Sequence, residues 1–199
     1  WPIKTVKEFS GKTVAYSTNG SGALGVVTAL VKENGITPKL TATGGPPGTL
    51  TQVMSGQIDV GWAAPPFGLD QLDQKQIRRI VTGNDTKAFS GQTVRLNITT
   101  ASVLKDRKDV IDRYMKAYRE TVDFMYHNPE ALKIYSEWLK ITEAKAKRTR
   151  DDFFPGDAIN PDKIVGLDRI VKDAVELKFT AKELTKEQLA ELIQIPPRK

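Results

Sequence analysis

The hydrophobic period of this chain changes once, near residue 100, and that change limits the folds open to it. From residue 12 to 98, short β-like runs alternate with short helical runs, the pattern of an α/β layer on a mainly parallel sheet. From Asp109 onward the apolar repeat is helical only. The expected fold class is therefore α/β: an α/β lobe over residues 1–100, then a helical half over 101–199.

Within the first part, Thr13-Val14-Ala15-Tyr16-Ser17 reads as a strand. Leu24, Val27, Leu30 and Val31 then recur at helical spacing, and Asn34-Gly35 supplies a C-terminal stop. Lys39 to Thr43 reads as a second strand, followed by Gly44-Gly45-Pro46-Pro47-Gly48 and a helix capped by Thr49 that runs to about Ser55. Ile58 to Trp62 is expected as a third strand, broken by Pro65-Pro66, and Phe67 to Gln76 as a helix. Ile77 to Thr82 and Val94 to Thr99 complete the expected sheet.

In the second part, Ile111, Tyr114, Met115, Tyr118, Val122 and Met125 form one helical stripe, which explains its tyrosines and methionines as core. Asn128-Pro129 ends that helix and starts another. A further helix carries Ile164, Leu167, Val171 and Ala174, and a last one follows Thr185 with Leu189, Leu192 and Ile193 until Pro196-Pro197. Helices with apolar faces and no strands of their own need a sheet to cover.

The composition removes several classes of function. Cysteine is absent, which excludes disulfide scaffolds, thiolate catalysis and cysteine-ligated metals. The lone histidine, His127, stands before Asn128-Pro129, where capping the last carbonyls of a helix is the preferred role; no H-E-x-x-H or G-x-S-x-G accompanies it. Neither a metal site, nor a cofactor, nor an enzyme's catalytic set is expected. Thirty Lys and Arg against 24 Asp and Glu give a net charge of +6, but the signs interleave along the helices, so no nucleic-acid partner is expected. Lys145, Lys147, Arg148 and Arg150 are closed by Asp151 and Asp152, which reads as a solvated helix end. No apolar run approaches the ~20 residues that span a bilayer, which points to a soluble protein. The chain opens at Trp1 without a basic or apolar leader, so any signal peptide is expected to have been removed.

Three loops stand out. Ser17-Thr18-Asn19-Gly20-Ser21-Gly22 joins a strand to a helix, where free N–H groups and the helix dipole favour an anion; a capped turn explains the same residues. Gly20-Ser21-Gly22-Ala23-Leu24-Gly25 also matches G-x-G-x-x-G, yet no acid follows at the end of the second strand to hold a ribose. The loops at Thr43–Gly48 and Gly61–Pro66 leave strand ends on the same edge, where open α/β sheets bind ligands. Trp62 offers that edge an aromatic wall or an indole donor, with simple packing as its alternative. Asp59 is the carboxylate a general base would need, but no titratable partner lies near it in sequence.

Val6-Lys7-Glu8-Phe9-Ser10-Gly11-Lys12-Thr13-Val14 resembles the "dLkGKkV" entry to the second lobe of the SsuA/TauA/NMT1-like substrate-binding proteins of ABC importers. Gly56-Gln57-Ile58-Asp59-Val60-Gly61-Trp62 is similar to that family's "G-x-(I/V)-D-(A/V)" strand, and the helices after Asp109 and Pro129 resemble its later stretch. The resemblance implies the type II periplasmic-binding fold, with 1–100 as a second lobe bearing ligand-facing loops and 101–199 as a helical return segment. It also implies that a signal peptide and part of the first lobe are not in this chain, which would leave helix faces free for self-association. Carried onto this sequence, the cleft wall comprises Ser17, Thr18, Asn19, Ser21, Gly44, Gly45, Trp62 and Pro65. The implied partners are a small, anionic or aromatic solute and a membrane permease, the implied compartment is periplasmic, and the implied mechanism is closure of two lobes. A pyrimidine-making branch of the family uses a cysteine-rich motif that this chain lacks. The remaining alternative is the effector-sensing domain of a LysR-type regulator, which shares the fold.

Overall fold

The computed structural model describes residues 2–198. In chain order the regular elements are β1 (Thr13–Tyr16), α1 (Gly22–Asn34), β2 (Lys39–Ala42), α2 (Pro46–Met54) and α3 (Leu69–Asp73). There follow α4 (Ala101–Asp106), α5 (Lys108–His127), α6 (Glu130–Leu139), α7 (Glu143–Arg148), α8 (Leu167–Glu176) and α9 (Lys186–Leu192). They divide into two compact units, one running to Val94 and including Gly166–Glu183, the other comprising Arg95–Val165 and the chain from Leu184 onward.

In the first unit, β1 and β2 pair in parallel with Thr13 opposite Lys39 and Tyr16 opposite Ala42. The crossover is α1, as a parallel pair requires. Ser21 caps that helix, its Oγ accepting from the Leu24 N–H at 3.2 Å. Gly35 closes it in the left-handed region (φ 62°) and donates to the Val31 carbonyl, a conformation that costs glycine nothing. Val14, Val27, Ile3, Phe9 and Ile36 form the buried core, with Val6, Val31, Val60, Ile80 and Val81 packed against it. Gly25 lets Phe89 lie on α1: a Cβ there would stand 2.8 Å from the ring tip. Glu33 accepts from the Lys87 and Ala88 N–H groups and fixes the turn that carries Phe89. On α8, buried Asp173 meets Arg169 at 3.3 Å.

Four expectations need correction here. The third strand shrinks to one parallel bridge between Val14 and Val60. Ala15 donates to Val60 and Val60 to Thr13, but Pro65 and Pro66 follow within a few residues and cannot extend a ladder. Residues 77–82 form no strand; Ile80 and Val81 serve the core through their side chains instead. Residues 94–99 form no strand and, among the described residues, make no backbone–backbone hydrogen bond. Thr49 is also not a cap. Gly45 caps α2, two prolines fill its first turn as fixed φ favours, and Thr49 is buried inside the helix.

In the second unit, α5 runs for 20 residues and buries Met115 and Arg119. Ala131 and Ala146, both fully buried, let α6 and α7 approach closely. Arg119 donates to Asp162 at 2.6 Å and to the carbonyls of Pro196 and Pro197. Arg198 donates to the other Asp162 oxygen and to Asp123. Burial works against ionisation of Asp162, but hydrogen bonds from Arg198 and Arg119 outweigh it and hold the carboxyl below its usual range. After α7 the basic side chains pair as their spacing predicts: Lys147 and Arg150 with Asp151, Arg148 with Asp152.

Candidate functional site

The carboxyl ends of β1 and β2 and the segment after Val60 meet at one edge of the first unit. The loops there are tied by hydrogen bonds, not merely near one another. Thr43 N–H donates to the Tyr16 carbonyl and Gly44 N–H to the Ser17 carbonyl, each at 2.9 Å. The Thr43 hydroxyl reaches the same Tyr16 carbonyl at 3.1 Å and the Thr49 hydroxyl at 2.6 Å. Thr49 also donates to Gly45 O, so the first turn of α2 is fastened to the end of β1. Because Val60 lies beside Val14, Trp62 leaves the sheet at the level of Tyr16 and Ser17.

Of the residues expected at the cleft, Ser17, Thr18, Asn19 and Ser21 share the β1–α1 loop, and Gly44 is bonded directly to Ser17 with Gly45 next in chain. Asn19 is held by the Tyr16 hydroxyl, which donates to its Oδ1 at 2.8 Å. Gly44 needs glycine because its φ is 73°. Trp62 is half-buried, yet its indole N–H is shielded from solvent and has no acceptor among the described residues, an expense that a hydrogen-bonding ligand would remove. Pro65 lies three residues further on, in the turn where Phe67 N–H donates to Ala64 O; no hydrogen bond ties it to the other two loops, which fits a ring with no donor.

The two helix starts at this edge are not equal. A helix leaves its first N–H groups without intrahelical partners. At α1 those of Gly22 and Ala23 remain available after Ser21 has satisfied Leu24. At α2 the first two positions are Pro46 and Pro47, which carry no N–H at all. Positive potential is therefore concentrated at the α1 end.

Asp59 is placed where it cannot serve this edge. Its carboxylate accepts from the Thr13 N–H at 2.9 Å, at the opposite end of β1 and about 10 Å from the loops. His127 Nδ1 lies 2.9 Å from the Asp123 carbonyl, one turn back on α5, as its capping role requires. Among the described residues no three His, Asp or Glu side chains are grouped to hold a metal ion. Among the described residues no helix is long and apolar enough to cross a membrane. Sequence reasoning missed Tyr16 and Thr43 as organisers of the edge; the Tyr16–Asn19 spacing was the available signal.

Residues 1–132 of the chain match the profile of the NMT1/THI5-like family. The chain belongs to that family. The crystal structure of the periplasmic aliphatic sulphonate binding protein SsuA from Escherichia coli superposes with a TM-score of 0.67 at 15% identity. The match covers 100% of this chain and 64% of that one, so the NMT1/THI5-like chain spans less than two thirds of the SsuA chain, and at this identity the likeness is one of fold. No curated protein matches the sequence.

Proposed function

We propose that this chain is a solute-binding component of an ABC importer: it contributes one wall of a cleft that captures a small molecule and passes it to a membrane permease. The observation that carries the proposal is the edge where the β1–α1 and β2–α2 loops are hydrogen-bonded together and the segment beside β1 brings in Trp62, whose indole N–H is shielded and unpartnered among the described residues. Family membership favours this reading over a LysR-type sensor. So does the chemistry at the edge, which offers donors and an aromatic face but no acid or base placed to turn a substrate over. The division of labour follows: residues 1–100 present the loops, and 101–199 form the return segment. A periplasmic or extracytoplasmic location belongs to the same proposal.

The favoured solute has a compact anionic or acceptor-rich end facing the Gly22 and Ala23 N–H groups and Trp62, with Ser17, Thr18, Asn19 and Ser21 hydroxyl or amide groups around it. Gly44, Gly45 and Pro65 supply close backbone approach and an apolar rim. A thermal-shift screen against sulfonates, nitrate, aromatic acids and pyrimidines tests the proposal. A solute that binds only the native state at ~100 times its Kd adds about 2.7 kcal/mol of stability, which for a chain of this size raises Tm by several degrees. No shift with any member of the panel counts against the importer role.

A further inference from the structure

Asparagine followed by glycine is the step at which a chain modifies itself most readily, because glycine has no Cβ to obstruct its N–H as it turns onto the asparagine side chain. The sequence has two such steps, Asn19-Gly20 and Asn34-Gly35, and the fold treats them differently. At Asn34 both reacting groups are tied. Its Nδ2 donates to the Leu30 carbonyl at 3.0 Å, and the Gly35 N–H donates to the Val31 carbonyl as it closes α1. At Asn19 both are loose, and both residues are exposed. Among the described residues the Gly20 N–H makes no hydrogen bond, and Asn19 is held through Oδ1 alone, by the Tyr16 hydroxyl at 2.8 Å. That donor draws electron density from Cγ and leaves Nδ2, the group that has to depart, without a protein partner among the described residues.

We propose that Asn19 is a site of spontaneous deamidation that closes the neighbouring edge to anions, an inference that rests on the solute-binding reading for its effect but not for its chemistry. The Gly20 nitrogen gives up its proton to base in the solvent and attacks Asn19 Cγ. The N–Cγ bond forms, the Cγ–Nδ2 bond breaks, and Nδ2 leaves as ammonia with a proton from water. The cyclic imide then takes up water and opens at one carbonyl or the other, leaving aspartate or isoaspartate. Nothing is oxidised or reduced, and water is the co-reactant. Either product puts a carboxylate where a neutral amide stood, a few residues before the Gly22 and Ala23 N–H groups. The three loops of the edge, Ser17–Gly22, Thr43–Gly48 and Gly61–Pro66, contain no charged side chain, so the new charge has nothing to neutralise it there. It competes for the donors and repels an incoming anion; isoaspartate also lengthens the main chain by a methylene.

Peptide mapping tests the chemistry. Trypsin puts the two steps on separate peptides, 13–32 and 33–39, so one digest of protein held at mildly alkaline pH reports both. In the native protein the Asn19 peptide should gain aspartate and isoaspartate about tenfold or more faster than the Asn34 peptide, whose hydrogen bonds must open first. In urea the two rates should come within about threefold of each other, since the unfolded chain carries neither constraint. Protein deamidated at Asn19 and separated by ion exchange, like Asn19→Asp, should bind a short aliphatic sulfonate or nitrate about tenfold or more weakly than the parent. An Asn34 that reacts as fast as Asn19 in the native protein, an Asn19 that stays intact while the unfolded chain converts, or a deamidated protein with the parent's anion affinity overturns the proposal. Should the parent bind neither anion, the effect on the edge is refuted together with the anion reading, and the peptide map alone decides whether Asn19 is the residue modified.

Discussion

Replacing Gly61 by alanine probes the joint between α2 and the segment that carries Trp62. A Cβ at position 61 would lie 2.7 Å from Val53 Cγ2 and 3.0 Å from Thr49 Cγ2. Neither neighbour yields freely. Thr49 is 1% exposed and its hydroxyl is engaged with both Thr43 and the Gly45 carbonyl. Rotating it would give up hydrogen bonds worth about 1 kcal/mol each. Val53 can shift off its rotamer at a cost of about 0.5–1.5 kcal/mol. The cheapest response combines a small movement of α2 with a strained Val53, a loss of about 2 kcal/mol, in the middle of the range for overpacking. For a 199-residue chain that corresponds to a Tm lower by about 4–8 °C. Differential scanning calorimetry measures it. Val53→Ala in the same chain removes the closer of the two contacts, so the double variant should lose less than the sum of the single losses. A Gly61→Ala protein whose Tm stays within about 1 °C of the parent would refute the packing argument.

Arg119→Ala leaves Asp162 and two proline carbonyls without their common donor; because Asp162 is 29% exposed, the cost should be about 2–3 kcal/mol, below that of a fully buried pair, with faster hydrogen exchange around residues 162 and 194–198. Acid should loosen the end of α7. Hydrogen bonds from Arg150 and Lys147 lower the Asp151 pKa to about 2, so the stability this carboxylate adds is complete above its unfolded value near ~3.9 and is lost as pH falls through 2. In Asp151→Asn that part of the pH dependence, followed by exchange of the 147–153 amides, should vanish. Lys32→Ala should change stability by less than about 0.5 kcal/mol in urea melts, because its partner Glu176 and Lys32 itself are about 60% exposed.

Much of this architecture is written in residues whose chemistry is local. Ser21 and Gly35 bracket α1, Thr185 caps α9, and the stripe from Ile111 to Met125 marks α5, because a cap or a helical face depends on neighbours within a turn or two. Strands are different. Val94 to Thr99 has the alternation of a strand, but alternation cannot say whether another strand lies alongside, and among the described residues none does. Ile80 and Val81 lie in a run that reads as a strand, yet they pack half-buried against the core without a ladder. Thr49 follows the Pro-Pro-Gly run as a cap would, yet Gly45 takes that place because prolines are best tolerated in a first turn. At the candidate site, the loop positions could be read from strand ends. The hydrogen bonds of Tyr16 with Asn19 and of Thr43 with Thr49 are local, but those that fasten one loop to the other, from Thr43 to the Tyr16 carbonyl, span 27 residues and left no local sign.

The central claim is that the edge formed by Ser17–Gly22, Gly44–Gly45 and Trp62 holds a small solute, and calorimetric titration of the native protein and Trp62→Phe tests it most directly. The phenylalanine keeps the aromatic face and removes only the unpartnered N–H. Titrated with a short aliphatic sulfonate, nitrate, an aromatic carboxylate and a pyrimidine, the native protein should bind at least one saturably. The Trp62→Phe protein should bind that solute about tenfold or more weakly, the loss of one hydrogen bond to a charged group. Equal affinity in the two proteins, or saturable binding of none of the four, would contradict the account.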